Sequence, residues 1–316
     1  MTPIRIPPAL TRNAGVAWGE EGQRWLAALP DLVDDVARRW SLTVGEPYTL
    51  SFHWVAPVTD ASGRPAVLKL GPAGPGHLRD ETAALRAFDG RGAVRLLAED
   101  ADRGVLLLER AEPGTLARDL LTGGGPLHER DAEATAAIAG VADRLHQTAQ
   151  PGFGLPDVAS QRVAFPQYLR TFGDSGPLPR SFVEQADRLF GELCAERTRT
   201  VVLHGDLHHD NVLRAEREPW LAIDPHGLVG DPGYEAGALL YNPDPDRRDP
   251  SLLALVPARI EQLADALGEP VERITAWGFA VAMLSAVWDT EDQPHPGPPG
   301  RAFDVARLLS RTAPVR

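Results

Sequence analysis

The hydrophobic pattern changes once along the chain, close to Glu109, and this change constrains the fold more than any other feature. Before it, short runs rich in β-branched and aromatic residues alternate with Ser, Thr, Asp and Gly, which is typical of antiparallel strands. After it, apolar residues recur mainly at three- and four-residue steps, which is typical of amphipathic helices. The pattern predicts an α+β protein with a small, mostly β lobe followed by a larger, mostly helical lobe.

The first lobe is predicted to contain a helical leader and one antiparallel sheet. Apolar residues from Trp25 to Trp40 recur at helical spacing, so the leader covers the first forty or so residues. Five short β-prone runs and one helical run follow. The predicted strands are residues 48–51, 54–58, 66–70, 94–98 and 105–108, and the inserted helix is 78–88.

The second lobe is predicted to be helical apart from three short strands. The helical segments are 131–148, 252–267 and 271–288, and the strands are 201–203, 212–214 and 220–223. We therefore divide the chain into an N-terminal lobe, 1–108, a hinge, 109–114, and a C-terminal lobe, 115–316.

Composition excludes several classes of protein. Cys194 is the only cysteine, so the chain can form neither an internal disulfide nor a thiolate metal cluster. The net charge of −12 argues against a nucleic-acid surface and suits either cationic ligands or simple solubility. The start lacks an apolar signal segment, and the longest nearly uncharged stretch, 275–288, is shorter than the roughly 20 residues of a membrane span. We expect a cytoplasmic monomer that acts on a small molecule.

Lys69 is the only lysine among 32 basic residues. A compact ammonium group and a planar guanidinium are not interchangeable where a point charge is needed. A chain that otherwise uses arginine for every fixed positive charge has kept an ammonium group at this position. Lys69 is therefore a candidate site residue before any motif is considered.

Polar residues follow two neighbouring apolar runs of the second lobe. The run 203–213 reads Leu-His-Gly-Asp-Leu-His-His-Asp-Asn-Val-Leu, and the run 222–225 reads Ala-Ile-Asp-Pro. Phosphoryl transfer requires mainly positioning and cations at the phosphate oxygens. Asp206 suits a carboxylate that accepts the hydroxyl proton, and Asn211 and Asp224 supply the oxygen donors that Mg²⁺ prefers.

These runs resemble the aminoglycoside phosphotransferase family, which has a protein-kinase-like bilobal fold. The catalytic loop of that family has the form H-G-D-x-x-x-x-N, and its metal aspartate lies in I-D-P or I-D-F. The resemblance implies that Asp206 is the catalytic base, that Asn211 and Asp224 bind Mg²⁺, and that His204 supports the loop. It also implies a nucleotide cofactor, and the sequence leaves the choice between ATP and GTP open.

The resemblance extends to the nucleotide site of the first lobe. Lys69 ends a Val-Leu-Lys-Leu strand, where the family places the lysine that contacts the nucleotide phosphates, and Glu81 follows on the helix as its ion-pair partner. Backbone groups around Glu109 and Ala111 are implied to bind the nucleobase. The glycine-rich loop of protein kinases is missing, and Ser51 in the turn 51–53 is the candidate phosphate contact.

The remaining similarity concerns the acceptor. Segments 19–42, 215–233 and 287–292 resemble the streptomycin 6-kinase and hydroxyurea phosphotransferase branch. Asp289, Glu291 and Asp292 come at the end of the long apolar helix, where the helix dipole disfavours each carboxylate by about 0.3–1 kcal/mol. Acidic residues in this position indicate either a binding role or a solvated acidic loop. We interpret five acidic residues as a cation-binding wall: Asp231, Glu235, Asp289, Glu291 and Asp292.

The leading hypothesis is ATP-dependent phosphorylation of a cationic aminoglycoside such as streptomycin, which would inactivate the antibiotic. A kinase for a sugar, an amino alcohol or a hydroxyurea-like compound is the enzymatic alternative. A nucleotide-binding pseudokinase is the non-enzymatic alternative, although Lys69, Asp206, Asn211 and Asp224 are all present. The pair His208 and His209 is interpreted as a hydrogen-bonding feature of the loop, because no further ligands at zinc spacing accompany it.

Overall fold

The computed structural model describes residues 4–310 except 51, 75, 147–153, 198, 247–248 and 292–298. The first part of the chain folds as a sheet with one helix on each face. Its elements, in chain order, are α1 Pro8–Trp40, β1 Thr43–Val44, β2 Trp54–Thr59, β3 Pro65–Leu70, α2 His77–Phe88, β4 Leu96–Asp100 and β5 Val105–Glu109. The five strands pair in the order β1-β2-β3-β5-β4, and every neighbouring pair is antiparallel.

Two of the predicted strands differ from the observed ones. Residues 48–50 are not a strand, and the edge position is taken by β1, which pairs Val44 with Val58. The remaining residue of that prediction, Ser51, lies outside the described residues. The fourth strand begins at Leu96 instead of Val94, because the Val94 amide donates to the carbonyl of Ala222 in the second lobe at 3.0 Å.

Alternation along β2 and β3 separates a structural face of the sheet from a functional one. Trp54, Ala56 and Leu68 are buried in the apolar cluster that α1 completes. Successive side chains of a strand point to opposite faces, so Lys69 lies on the face away from α1. That face is the one covered by α2 and the second lobe.

The leader helix is broken at Gly19, where φ is 53° and ψ is −132°. The chain folds back there, and a Cβ atom at Gly22 would lie 2.1 Å from the Ala14 carbonyl oxygen. Only a glycine allows the two helical segments to approach this closely. The sequence predicted the helical spacing of the leader but not this reversal.

The second part of the chain is mostly helical. Its elements are β6 Pro113–Leu116, α3 Leu127–Leu145, α4 Ala164–Phe172, α5 Arg180–Ala195, β7 Val201–Leu203, β8 Val212–Ala215, β9 Trp220–Ala222, β10 Leu228–Gly230, α6 Ala236–Tyr241, α7 Pro250–Leu253, α8 Val256–Leu267, α9 Val271–Glu291 and α10 Arg301–Leu309. The sequence did not predict β6 and β10, which pair with β8 and β7. No helix in the described ranges is both long and apolar enough to cross a membrane.

Backbone contacts join the two parts behind the cleft. The Ala222 amide donates to the Gly92 carbonyl at 2.8 Å, beside the bond between Val94 and Ala222. Arg217 donates to both carboxylate oxygens of Glu109 at 2.8 Å and to the Gly90 carbonyl at 2.6 Å. These bonds fix the loop that follows α2 against the β8–β9 hairpin.

Candidate active site

Lys69 bridges two carboxylates that come from distant parts of the chain. Its Nζ atom lies 2.6 Å from Oε2 of Glu81 on α2 and 2.6 Å from Oδ1 of Asp224, which follows β9. Lys69 is 5% exposed, so the ammonium group is held inside the cleft. The structure thus forms the expected Lys69–Glu81 ion pair and adds Asp224 to it.

The charges of this trio follow from burial and proximity. Burial opposes the charged form of Lys69, but the carboxylates of Asp224 and Glu81 outweigh it and raise the pKa of the ammonium group. Burial dominates at Glu81 and raises the pKa of its carboxyl group to about 7. At Asp224 a partial loss of solvation is outweighed by the charge and hydrogen bond of Lys69, which lower the pKa. Asp224 is therefore an anion at neutral pH.

The loop between β7 and β8 carries the predicted catalytic carboxylate. Oδ2 of Asp206 lies 3.4 Å from Nε2 of His208 and 3.8 Å from Nε2 of His226. Burial raises the pKa of Asp206, but the hydrogen bond and charge of His208 and the charge of His226 outweigh it and lower the pKa. The carboxylate is ionised at neutral pH and can accept a proton from a hydroxyl group.

His204 connects this loop to the segment that carries Asp224. Its Nε2 atom lies 2.8 Å from the Ile223 carbonyl, and its Nδ1 atom accepts from the Asp206 amide at 3.2 Å. Both contacts are satisfied by one neutral tautomer with the proton on Nε2, and burial lowers the pKa of the ring. The geometry agrees with the supporting role that the resemblance implied.

Asn211 and Asp224 present oxygen atoms that fit a hard divalent cation. The Ile223 amide donates to the Asn211 carbonyl at 3.0 Å, which holds the two segments side by side. Nδ2 of Asn211 donates to the Asp206 carbonyl at 2.9 Å, so Oδ1 is the remaining acceptor of that amide. Lys69 contacts only Oδ1 of Asp224, whose side chain is 49% exposed. This donor set suits Mg²⁺, which prefers oxygen ligands and retains several waters.

A cavity of about 290 Å³ lies between α2 and the second lobe, beside the catalytic loop. Its lining includes Asp80, His226 and Trp288. Gly227 has φ 72°, and a Cβ atom there would lie 2.4 Å from the Asp80 carbonyl oxygen. Neither His226 nor Asp80 was predicted from the sequence to line the site, although His226 stands two residues after Asp224.

Glu235 is buried in the interior and is not part of a cation-binding wall. Its two oxygens accept the His204 and Gly205 amides at 2.8 Å and 2.9 Å, and Oε2 lies 3.4 Å from Nε2 of His146. The side chain is only 2% exposed. The predicted contact with substrate is therefore wrong for Glu235, which holds the backbone of the catalytic loop.

Asp231 is also buried, and its predicted contact with substrate is wrong for the same reason. Its Oδ1 atom accepts from the Gly233 amide and the Trp277 indole, both at 2.9 Å, and Oδ2 forms an ion pair with Arg273. The carboxylate caps the short helical turn Pro232–Glu235.

The remaining predicted site residues lie at the end of α9, in the turn before β2 and at the hinge. Asp289 is exposed in the last turn of α9, which also contains Glu291, whereas Asp292 lies outside the described residues. Ser51 lies outside them as well. At the predicted hinge, the Glu109 amide donates to the Arg95 carbonyl at 2.8 Å, and Ala111 is buried. No group of three or more His, Cys, Asp or Glu residues within the described ranges is arranged to hold a metal ion.

Comparison with solved structures places this geometry in a known fold. The choline kinase LicA from Streptococcus pneumoniae superposes with a TM-score of 0.59, covering 89% of this chain and 98% of that one at 14% identity. The shared architecture confirms the predicted bilobal, protein-kinase-like fold.

Sequence comparison identifies closer relatives. The chain is 36% identical to a streptomycin 6-kinase of Streptomyces glaucescens, covering 92% of both chains. It is 35% identical to a hydroxyurea phosphotransferase of Kitasatospora aureofaciens, covering 97% of this chain and 86% of the relative. A sequence model described as aminoglycoside/hydroxyurea antibiotic resistance kinase matches residues 39–293. The chain belongs to this kinase family and is a phosphotransferase with an alcohol group as acceptor.

Proposed function

We propose that the enzyme transfers the γ-phosphoryl group of ATP to a hydroxyl group of a cationic aminoglycoside such as streptomycin. One observation carries the proposal: Lys69 is buried between Glu81 and Asp224, beside the Asp206 loop. This arrangement suits a nucleotide triphosphate whose terminal phosphate faces a carboxylate base. The aminoglycoside acceptor is supported by the 36% identity to a streptomycin 6-kinase.

In the proposed reaction, Asp206 accepts the proton of the acceptor hydroxyl while the oxygen of that hydroxyl forms a bond to the γ-phosphorus. The bond between that phosphorus and the bridging oxygen breaks, and ADP leaves. Lys69 binds the phosphate oxygens, and Glu81 holds Lys69 in place. Mg²⁺, held by Asn211 and Asp224, would supply positive charge to the phosphates.

The nucleobase is proposed to bind at the hinge, residues 109–114. The Glu109 amide already donates to the Arg95 carbonyl. We therefore assign the contacts to the Glu109 carbonyl and the Ala111 backbone. The turn 51–53 is proposed to cover the phosphates, with Ser51 as one contact.

The acceptor is proposed to occupy the cavity lined by Asp80, His226 and Trp288. An anionic side chain and an indole ring suit a guanidinium or ammonium group, because such cations pair with carboxylates and stack on aromatic faces. Asp289 and Glu291 follow Trp288 along α9, and Asp292 comes directly after the helix. We propose that these three residues extend the acceptor site, without Asp231 and Glu235.

A kinase for a hydroxyurea-like compound is the second candidate. It rests on the 35% identity to a hydroxyurea phosphotransferase over 97% of the chain. The two candidates differ in charge, because an aminoglycoside is cationic and hydroxyurea is neutral. Attraction of a cation by an acidic cleft weakens as salt rises, since the Debye length falls from about 10 Å at 0.1 M to about 3 Å at 1 M.

The experiment is an acceptor panel with ATP or GTP and Mg²⁺, read by nucleotide consumption and by the mass of the phosphorylated product. Streptomycin, other aminoglycosides, hydroxyurea and glucose are the acceptors, and Asp206→Asn is the background control. That variant should bind nucleotide normally and turn over about 10²- to 10⁴-fold more slowly.

Streptomycin should be phosphorylated with a KM that rises with salt and rises further in Asp80→Asn. Turnover of hydroxyurea alone, independent of salt, would favour the second candidate. Nucleotide binding without turnover of any acceptor would instead indicate a regulatory protein.

A further inference from the structure

His53 lies in the turn that replaces a glycine-rich phosphate loop. It directly precedes β2, in which Val55 stands opposite Lys69 and Trp54 stands opposite Leu70. The ring reaches across the end of β3, since a Cβ atom at Gly71 would lie 2.7 Å from Cδ2 of His53. The imidazole is therefore fixed close to the strand that carries Lys69.

The same ring lies on the face of the sheet that α2 covers. The Cβ position at Gly71 that meets His53 would also lie 2.7 Å from Cδ1 of Leu78 on α2, the helix that carries Glu81. Lys69, which contacts Glu81 and Asp224 at 2.6 Å, lies on this face as well. His53 thus lies on the side of the cleft where the nucleotide phosphates are proposed to bind.

The leader helix supports His53 from the other side. The rings of Trp18 and His53 are 5.9 Å apart with an interplanar angle of 36°. Trp18 also packs edge-on against Trp25, with centroids 6.0 Å apart. The reversal at Gly19 follows Trp18 directly and brings the tryptophan to the end of the folded helical pair.

We propose that His53 donates a hydrogen bond to the nucleotide phosphates and that Trp18 is a positioning residue that holds the imidazole there. This inference rests on the proposed function, because it requires a nucleoside triphosphate in the cleft. A glycine-rich loop supplies backbone N–H groups to phosphates, whereas this turn is short and carries bulky side chains, with Phe52 53% exposed. A ring N–H can serve as a donor to phosphate if its orientation is fixed.

The test measures the affinity for ATP with Mg²⁺ by calorimetry, without any acceptor. Trp18→Ala should weaken binding by about 2- to 12-fold, the range that corresponds to the loss of one aromatic pair. Trp18→Phe keeps a ring at this position and should retain most of the affinity. Val16→Ala, at a side chain on the same helix that is 81% exposed, should bind ATP as the wild type does.

A double-mutant cycle separates positioning from general loss of stability. If Trp18 acts through His53, Trp18→Ala should weaken ATP binding in the wild type but add little in a His53→Ala background. His53→Gln keeps a hydrogen-bond donor and should bind ATP more tightly than His53→Ala. In steady-state assays, KM for ATP should rise more than KM for the acceptor.

Equal and independent losses in the two backgrounds would overturn the coupling. A Trp18→Ala variant with a lowered Tm and unchanged ATP affinity would overturn the positioning role and leave only a structural one. Because ATP binding is measured without an acceptor, failure of every aminoglycoside as a substrate would not affect the test. A wild-type protein that binds neither ATP nor GTP would overturn this inference and the proposed function together.

Discussion

Replacement of Glu235 by glutamine distinguishes a structural carboxylate from a substrate-binding one. In the wild type both oxygens accept backbone amides, from His204 at 2.8 Å and from Gly205 at 2.9 Å. Glutamine has nearly the same shape but keeps only one acceptor oxygen. Its NH₂ group would face a second donor, so one buried amide of the catalytic loop would lose its partner.

The magnitude follows from the loss of one hydrogen bond to a charged, buried group, about 1.5–3 kcal/mol. An unfolding entropy of about 2.1 cal/mol/K per residue gives about 0.66 kcal/mol/K for the 316 residues. The expected decrease in Tm is therefore about 2–5 °C. Turnover should fall as well, because the same two amides position the segment that leads to Asp206.

The effect also has a predictable pH dependence. Burial raises the pKa of Glu235, but the hydrogen bond and charge of His146 and the contacts of His204 outweigh it and lower the pKa. A carboxyl group with a lowered folded pKa stabilises the protein fully above its unfolded pKa of about 4.3. That contribution is lost as the pH falls through the folded pKa. The Tm difference between wild type and Glu235→Gln should be largest near pH 7 and shrink below about pH 4.3.

The assay is thermal unfolding together with steady-state kinetics, with Glu133→Gln on the exposed face of α3 as the matched control. The control should unfold and turn over like the wild type. If Glu235→Gln kept the wild-type Tm and raised only KM for a cationic acceptor, Glu235 would be a substrate ligand and the structural reasoning would be refuted.

Two further substitutions test the cleft. Lys69→Arg should lower kcat/KM for ATP about 10²-fold, because a guanidinium does not fit between two carboxylates that each lie 2.6 Å from the ammonium nitrogen; unchanged kinetics would show that Lys69 is not a phosphate ligand. Gly227→Ala should reduce both Tm and turnover, since its Cβ would meet the Asp80 carbonyl at 2.4 Å. Gly268 also has a positive φ, 66°, but a Cβ atom there would have no neighbour within 4 Å. Gly268→Ala should therefore show only the backbone cost of about 1–2 kcal/mol. Equal Tm losses in the two variants would show that the contact with Asp80 is unimportant.

The central part of the candidate site was predictable because its signals are local. Polar residues that directly follow an apolar strand are placed at the end of that strand wherever it lies in the fold. Asp206 and Asp224 follow β7 and β9 in this way, and Asn211 directly precedes β8. Lys69 and Glu81 were predictable from one strand, one helix and the exclusive use of arginine elsewhere.

Features that depend on packing between separate segments of the chain were not predictable. Val94 has the composition of a strand residue, yet its amide pairs with Ala222 and the strand begins two residues later. The reversal at Gly19 interrupts an otherwise continuous helical pattern. It is stabilised by packing against the sheet and by the close approach of Gly22 to Ala14, neither of which has a signature in the local spacing.

Asp231 and Glu235, both buried, differ in whether their structural roles could have been predicted from the sequence. Asp231 stands in a Gly-Asp-Pro-Gly run, and an aspartate before a proline is a typical helix N-cap with the proline at the first helical position. Its contact with the Gly233 amide could therefore have been inferred from the sequence. Glu235 has no such signal. A buried carboxylate is stable only where several donors converge on it. The donors here are the His204 and Gly205 amides, thirty residues earlier, which the turn at Gly205, with φ 87°, helps to direct at Glu235. Glu235 lies beside the catalytic loop, and only the backbone path of that loop decides that the carboxylate supports it from behind.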